Sequence, residues 1–204
     1  MKRYFTLIKN TQELLLAISI VLLASMPNIL ILTDWITDER TAALYLVANL
    51  SLFFVMTVRP LADLLTGVKW LRPLVILRKG MGVLSASIIV AFIAAKVLVD
   101  PVGYLSNWAT FDYWSIADFA LFAHAADLSA ILLLVTSNNL SKRLLGPNWK
   151  RLQRLSYVYF YGSSIYLLFV FGDVTMLWYL AIVTFLTVFA WARNHHFILQ
   201  PATN

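Results

Sequence analysis

Six apolar stretches, each bounded by polar residues, alternate with short loops along almost the whole chain. A run of about 20 apolar residues crosses a bilayer core as an α-helix. The pattern predicts helices over residues 12–32, 41–58, 81–99, 113–136, 154–171 and 174–191. The expected fold is all-α: one polytopic transmembrane domain, residues 1–204, built as a six-helix bundle.

Two connecting segments carry more pattern than a plain loop. In 59–80, Leu61, Leu64, Leu65, Val68, Leu71 and Leu74 recur beside basic residues, which predicts a short helix lying in the interface. Residues 100–114 hold Tyr104, Trp108, Phe111, Tyr113 and Trp114. They read as an interfacial aromatic belt or as a lid or docking surface for a periplasmic partner. The N-terminal MKRYFTLIKN with its following apolar run has the outline of a signal peptide. The run from Leu14 to Leu32 exceeds a signal h-region, so it is read as a retained first helix.

Composition agrees with this pattern. Hydrophobic residues make up 61% and charged residues 13% of the 204, against about a quarter charged in soluble domains. No stretch is left for a soluble nucleotide-binding or catalytic domain. The chain has no cysteine, which excludes disulfides, thiolate metal sites and iron–sulfur clusters built on it. The net charge of +6 does not point to nucleic acid, because the cations occupy short inter-helix loops. Lys2, Arg3 and Lys9, then Arg59, Lys69, Arg72, Arg78 and Lys79, then Lys142, Arg143, Lys150, Arg151 and Arg154, and finally Arg193 fall on one predicted side. The other side has Arg40 against Asp34, Asp38, Glu39, Asp100, Asp112 and Asp173. The positive-inside rule then places both termini and the two basic loops in the cytoplasm.

Two segments carry a resemblance. RPLADLLTGVKWLRPLVILRKGMGVL starts at Arg59, and TSNNLSKRLLGPNWKRLQRLSYVYFYGSSIYLLF starts at Thr136. In the second, Leu145-Gly146, Trp149, Leu152, Arg154 and Tyr157 fall in register with a family pattern. The chain resembles the ferric-reductase-like transmembrane family over about two-thirds of its length. The small bacterial branch of that family is the haem-binding membrane subunit of the periplasmic methionine sulfoxide reductase system. The resemblance implies a six-helix bundle in a bacterial inner membrane, whose histidines, on the third and fifth helices, hold b-type haem. In register, those positions are Phe92, Gln153 and Tyr166. None supplies an imidazole, the usual axial donor. Bis-histidine haem is therefore not expected.

Ionisable residues inside membrane helices are expensive and mark function by default. Lys96, Asp118, His124 and Asp127 fall in this class. By the helical rise, Phe92, His124 and Tyr166 share a depth of about 19 Å from the cytoplasmic end. Ala120 precedes His124 by four residues, a spacing similar to the macrocycle-binding Ala-x-x-x-His of antenna polypeptides. His124 thus reads as a ligand for a haem or chlorin, with Tyr166 beside it. The competing reading is a hydrogen bond from His124 to Tyr166, Asp127 or a backbone carbonyl. Lys96 pairs with Asp118 or extends its ammonium to the interface. A proton path through Asp118, His124 and Asp127 is a further reading. His195 and His196 read as a solvated pair, and Trp149, Trp178 and Trp191 as interfacial anchors.

Two functions are weighed foremost. One is a non-catalytic ferric-reductase-like subunit of a larger membrane redox or energy-converting complex, in contact with lipid and other membrane subunits. The other is an electron carrier that holds a haem, chlorin, flavin or quinone by other ligands. A transporter or proton channel is a third class, without the inverted repeats or broken helix pair that would support it.

Overall fold

The computed structural model describes residues 2–32, 38–116 and 119–194. Among them there is no strand. The helices are α1 (Lys2–Leu32), α2 (Asp38–Leu64), α3 (Leu71–Leu74), α4 (Leu77–Val99), α5 (Pro101–Trp108), α6 (Ala120–Thr136), α7 (Asn139–Leu145), α8 (Pro147–Leu152), α9 (Leu155–Val170) and α10 (Thr175–Asn194). A single 3-10 turn, Asp112–Trp114, lies between α5 and α6.

Four segments among the described residues are long and apolar enough to cross a membrane: Arg3–Leu32, Ala43–Leu64, Leu71–Val99 and Thr175–Asn194. The pair α6 and α7, bent by 97° at their junction, makes a fifth if it is one span. The chain is therefore an all-helical, multi-pass membrane protein. Of the six expected spans, α6 with 17 residues and α9 are short, α9 the shorter. Its 16 residues reach about 24 Å at the helical rise, against a core of about 30 Å.

Several boundaries differ from the sequence expectation. The first helix starts at Lys2, ten residues before the expected start, because Lys2–Gln12 contains no glycine or proline to stop it. Ile8 in this stretch is buried, and the Tyr4 hydroxyl donates to the Trp70 carbonyl at 3.1 Å. The interfacial helix expected over 59–80 is not one element. Its first residues extend α2 through Pro60 to Leu64, a turn follows, and α3 leads into α4. The expected helix over 113–136 begins only at Ala120. Phe119 just before it takes the left-handed φ of 56°, which costs an ordinary residue about 1–2 kcal/mol. Its ring lies parallel to Phe169 of α9 at 4.5 Å, a contact that helps to hold it there.

α4 is the central helix. It packs most extensively on α1, then on α2 and α6, while α6 packs on α9 and α10 closes against α2 and α9. Its inner face is small or branched: Ser85, Ala86, Ser87, Ile88 and Ala91 are buried. One core joins Leu52, Met56, Ala130, Tyr159, Phe160 and Val183. A second joins Met26, Ala48, Leu84, Ile88 and Phe92.

Small residues set the closest approaches, as expected where helices pack without a hydrophobic driving force. A Cβ on Gly162 would lie 2.7 Å from the Phe122 carbonyl oxygen and 3.3 Å from Ala126. A Cβ on Gly80 would lie 3.1 Å from Leu15. Hydroxyls in the spans turn back on their own helix. Ser19 donates to Leu15 O at 2.7 Å and Thr57 to Phe53 O at 2.9 Å, which spares them an unsatisfied group in hydrocarbon. The outward faces of α1 and α10 expose Leu14, Ile20, Val21, Trp178, Phe185 and Phe189. Such faces suit lipid rather than water.

Contacts between helix ends fix the directions. The start of α4 meets the late part of α2, where Arg78 Nε donates to Val55 O at 3.0 Å. Pro60 leaves the neighbouring Met56 carbonyl without its helical donor, so this arginine reinforces a weak point in α2. Arg193 near the end of α10 donates to the carbonyl of Leu64, the last residue of α2. The cation thus satisfies a terminal carbonyl and complements the helix dipole. Trp149 Nε1 donates to Thr136 O at 3.0 Å and pins α8 to the end of α6. This bundle end, rich in Lys and Arg, is called the basic end below. The opposite end carries α5.

Candidate functional site

Lys96, near the end of α4, and His124, near the start of α6, lie in the part of the bundle nearest α5. His124 sits one turn into α6, directly under the segment that links α5 to α6. Asp100 caps α5, accepting from Gly103 N at 2.9 Å, and Pro101 begins it. The helix ends at Trp108, and the 3-10 turn folds Tyr113 and Trp114 back over α6. Trp114 Nε1 donates to Trp108 O at 2.9 Å, which closes this fold-back.

Tyr113 stacks on the His124 imidazole with centroids 3.5 Å apart and planes 11° from parallel. Trp114 meets the same imidazole edge-on at 5.7 Å. Trp108 contacts Tyr104, Tyr113 and Trp114. The aromatic segment 104–114 is thus a cap that packs on itself and on His124. Its outward residues Leu105 and Phe111 are exposed, as is Val102 just before it. Burial, with the nearby Tyr104 phenol, pushes the Tyr113 phenol above the usual tyrosine range.

The hydrogen bond expected from His124 to Tyr166 or Asp127 does not form among the described residues. Its Nδ1 is shut off from solvent and has no hydrogen-bond partner among the described residues. The stack with Tyr113 takes the place of that bond, because the cap reaches the imidazole before α9 does. Tyr166 instead meets Phe171 edge-on at 5.8 Å.

Lys96 lies on α4 within electrostatic range of both His124 and Asp127. No described carboxylate comes within ion-pair distance of it, and its side chain is exposed. Its expected partner Asp118 lies outside the described residues. Tyr45 of α2 completes the group, within range of Asp127 and Tyr166. Tyr45, Lys96, His124, Asp127 and Tyr166, from four helices, are thus linked by pairwise electrostatic contacts. Tyr45 was missed by sequence reasoning, because a tyrosine in an apolar run carries no signal beyond its hydroxyl.

The three positions aligned with the family's ligands fall in different surroundings. Phe92 is buried and stacks on Tyr45, centroids 4.8 Å apart and 6° from parallel. Gln153 ends α8 at the basic end, its Nε2 buried without a partner. Tyr166 lies far along α9. These side chains offer no imidazole, and at Phe92 the space beside the helix is filled by the Tyr45 ring. The residues do not fit a bis-histidine haem.

A second buried polar pair lies deeper. Ser85 of α4 and Tyr159 of α9 share a hydrogen bond of 2.9 Å, and both are almost fully buried. Neither was singled out by sequence reasoning, since only their meeting across two helices distinguishes them. Among the described residues no group of three His, Cys, Asp or Glu side chains is placed to hold a metal ion. Comparison of the chain with models of known families, with curated proteins and with solved structures found no match.

Proposed function

We propose that this chain is a non-catalytic membrane subunit, a ferric-reductase-like bundle that serves as scaffold in a larger membrane redox or energy-converting assembly. The observation that carries this reading is the Phe92–Tyr45 stack. Two packed aromatic rings occupy position 92 and its surroundings, a position that the resemblance aligns with a cofactor ligand. The buried Ser85–Tyr159 bond and the tight seat of Gly162 support a rigid bundle over a cofactor cavity. In this reading α9 is the sixth crossing, short because its ends are carried by α8 and Phe171. Both termini and the basic end face the cytoplasm of a bacterial inner membrane, as the charge asymmetry supports.

A second reading keeps a cofactor at His124. It is favoured by the buried Nδ1 that has no partner, because a polar group in hydrocarbon is costly to leave unmatched. Against it, Tyr113 covers one face of the ring. A single imidazole could still hold a macrocycle edge-on.

Mild solubilisation followed by identification of co-purifying subunits tests the first reading. It expects a stable complex with other membrane proteins. Recovery of the chain alone, with a Soret band lost in His124→Ala, favours the second. Reporter fusions within 137–153 test the orientation, and a periplasmic signal there overturns it.

A further inference from the structure

We propose that the groove between the α5-side ends of α1 and α4 binds an anionic phospholipid, with the lipid phosphate on Lys96 and an acyl chain along the groove. The groove is open to the surroundings of the bundle, and its volume is about 360 Å³. That is many times the roughly 30 Å³ share of one water in the liquid. Leu30 and Ile31 form one wall, and Phe92, Ala95 and Val99 form the other. Among the described residues lining it, Lys96 is the one that carries a charge.

Three features select the occupant. The lining is otherwise hydrocarbon, which suits an acyl chain and not a soluble anion. Lys96 is three residues from Val99, the last residue of α4, about 4.5 Å along the axis. An extended lysine at that depth delivers its ammonium to the level of lipid headgroups. That ammonium is exposed and has no described carboxylate within ion-pair distance. Asp127 and His124 reach it only at longer range, from α6. A phosphate at the groove's mouth supplies the close partner. The floor is preformed, since Phe92 is held flat by Tyr45.

The test uses the full chain purified in mild detergent, with phosphatidylglycerol, phosphatidylcholine or inorganic phosphate added separately. Native mass spectrometry counts the bound molecules. The expected result is preferential retention of phosphatidylglycerol, reduced about fivefold by Lys96→Gln, the factor that about 1 kcal/mol per basic residue gives. Lys96→Arg should keep the preference. Ala95→Leu, which fills the groove and leaves the charge, should weaken retention as well, so the idea stays testable if Lys96→Gln does not fold. Equal retention of the two lipids, or retention unchanged in both Lys96→Gln and Ala95→Leu, overturns the proposal. Inorganic phosphate that binds equally well and displaces the lipid also overturns it, by showing a bare anion site.

Discussion

Phe92 of α4 lies flat against Tyr45 of α2, with ring planes 6° from parallel and centroids 4.8 Å apart. The pair joins two helices, and its Tyr45 lies within electrostatic range of Asp127 of α6. Aromatic pairs add about 0.5–1.5 kcal/mol beyond the area they bury. Removing the ring also opens a cavity next to Ile88 and Ala91. Phe92→Ala should therefore cost about 3–5 kcal/mol, read as a lower thermal midpoint in detergent. A midpoint equal to that of the parent protein would show that the ring is not part of the core.

Gly162 sits where α9 crosses α6, and any Cβ there runs into the Phe122 carbonyl. Backbone cannot rotate away as a side chain can, so the helices must separate. Gly162→Val is expected to destabilise by about 1–3 kcal/mol, the usual range for overpacking. Gly67→Val, at a position with open space around it, is the control and should be mild. Equal effects of the two would contradict a close helix crossing.

The Ser85–Tyr159 bond makes a double-mutant cycle informative. Ser85→Ala strands a phenol and Tyr159→Phe strands a hydroxyl, each in a fully buried place. Removing both leaves no orphan. The cycle should give a coupling of about 0.6 kcal/mol, the typical value between membrane helices. Strict additivity would show that the two hydroxyls satisfy themselves elsewhere.

Tyr113 gives a pH dependence. Its partly buried phenol titrates above the ordinary tyrosine value, which is about 10. The neutral form is thus favoured by folding. This contribution is fully present below the unfolded value and is lost as pH rises beyond it. The cap over His124 should hold through neutral pH and loosen in strong alkali. Difference absorbance near the phenolate band should show Tyr113 ionising later than an exposed tyrosine, and Tyr113→Phe should remove that late step. Ionisation in the ordinary range would contradict the burial of the cap.

The membrane character was legible from the sequence because apolar run length is a one-dimensional property. The same holds for Lys96, His124 and Asp127, which stand out against hydrocarbon. The cap was legible only as a concentration of aromatics. That Tyr113 would lie on His124 depends on the left-handed turn at Phe119, where no glycine announces it. The late start of α6 has the same origin. Pro60 misled in the other direction. It reads as a helix end, yet α2 continues past it, and Arg78 supports the turn that precedes it. The Ser85–Tyr159 and Phe92–Tyr45 pairs belong to residues 74 and 47 positions apart in the chain, so no local pattern could report them.

The proposed function requires packed side chains where a ferric-reductase-like bundle would hold its cofactor. Haem content of the isolated chain, measured as the pyridine haemochrome and normalised to protein, tests this most directly. Far less than one haem per chain and no bis-imidazole spectrum are expected. Near-stoichiometric haem with a bis-imidazole spectrum would contradict the proposed function.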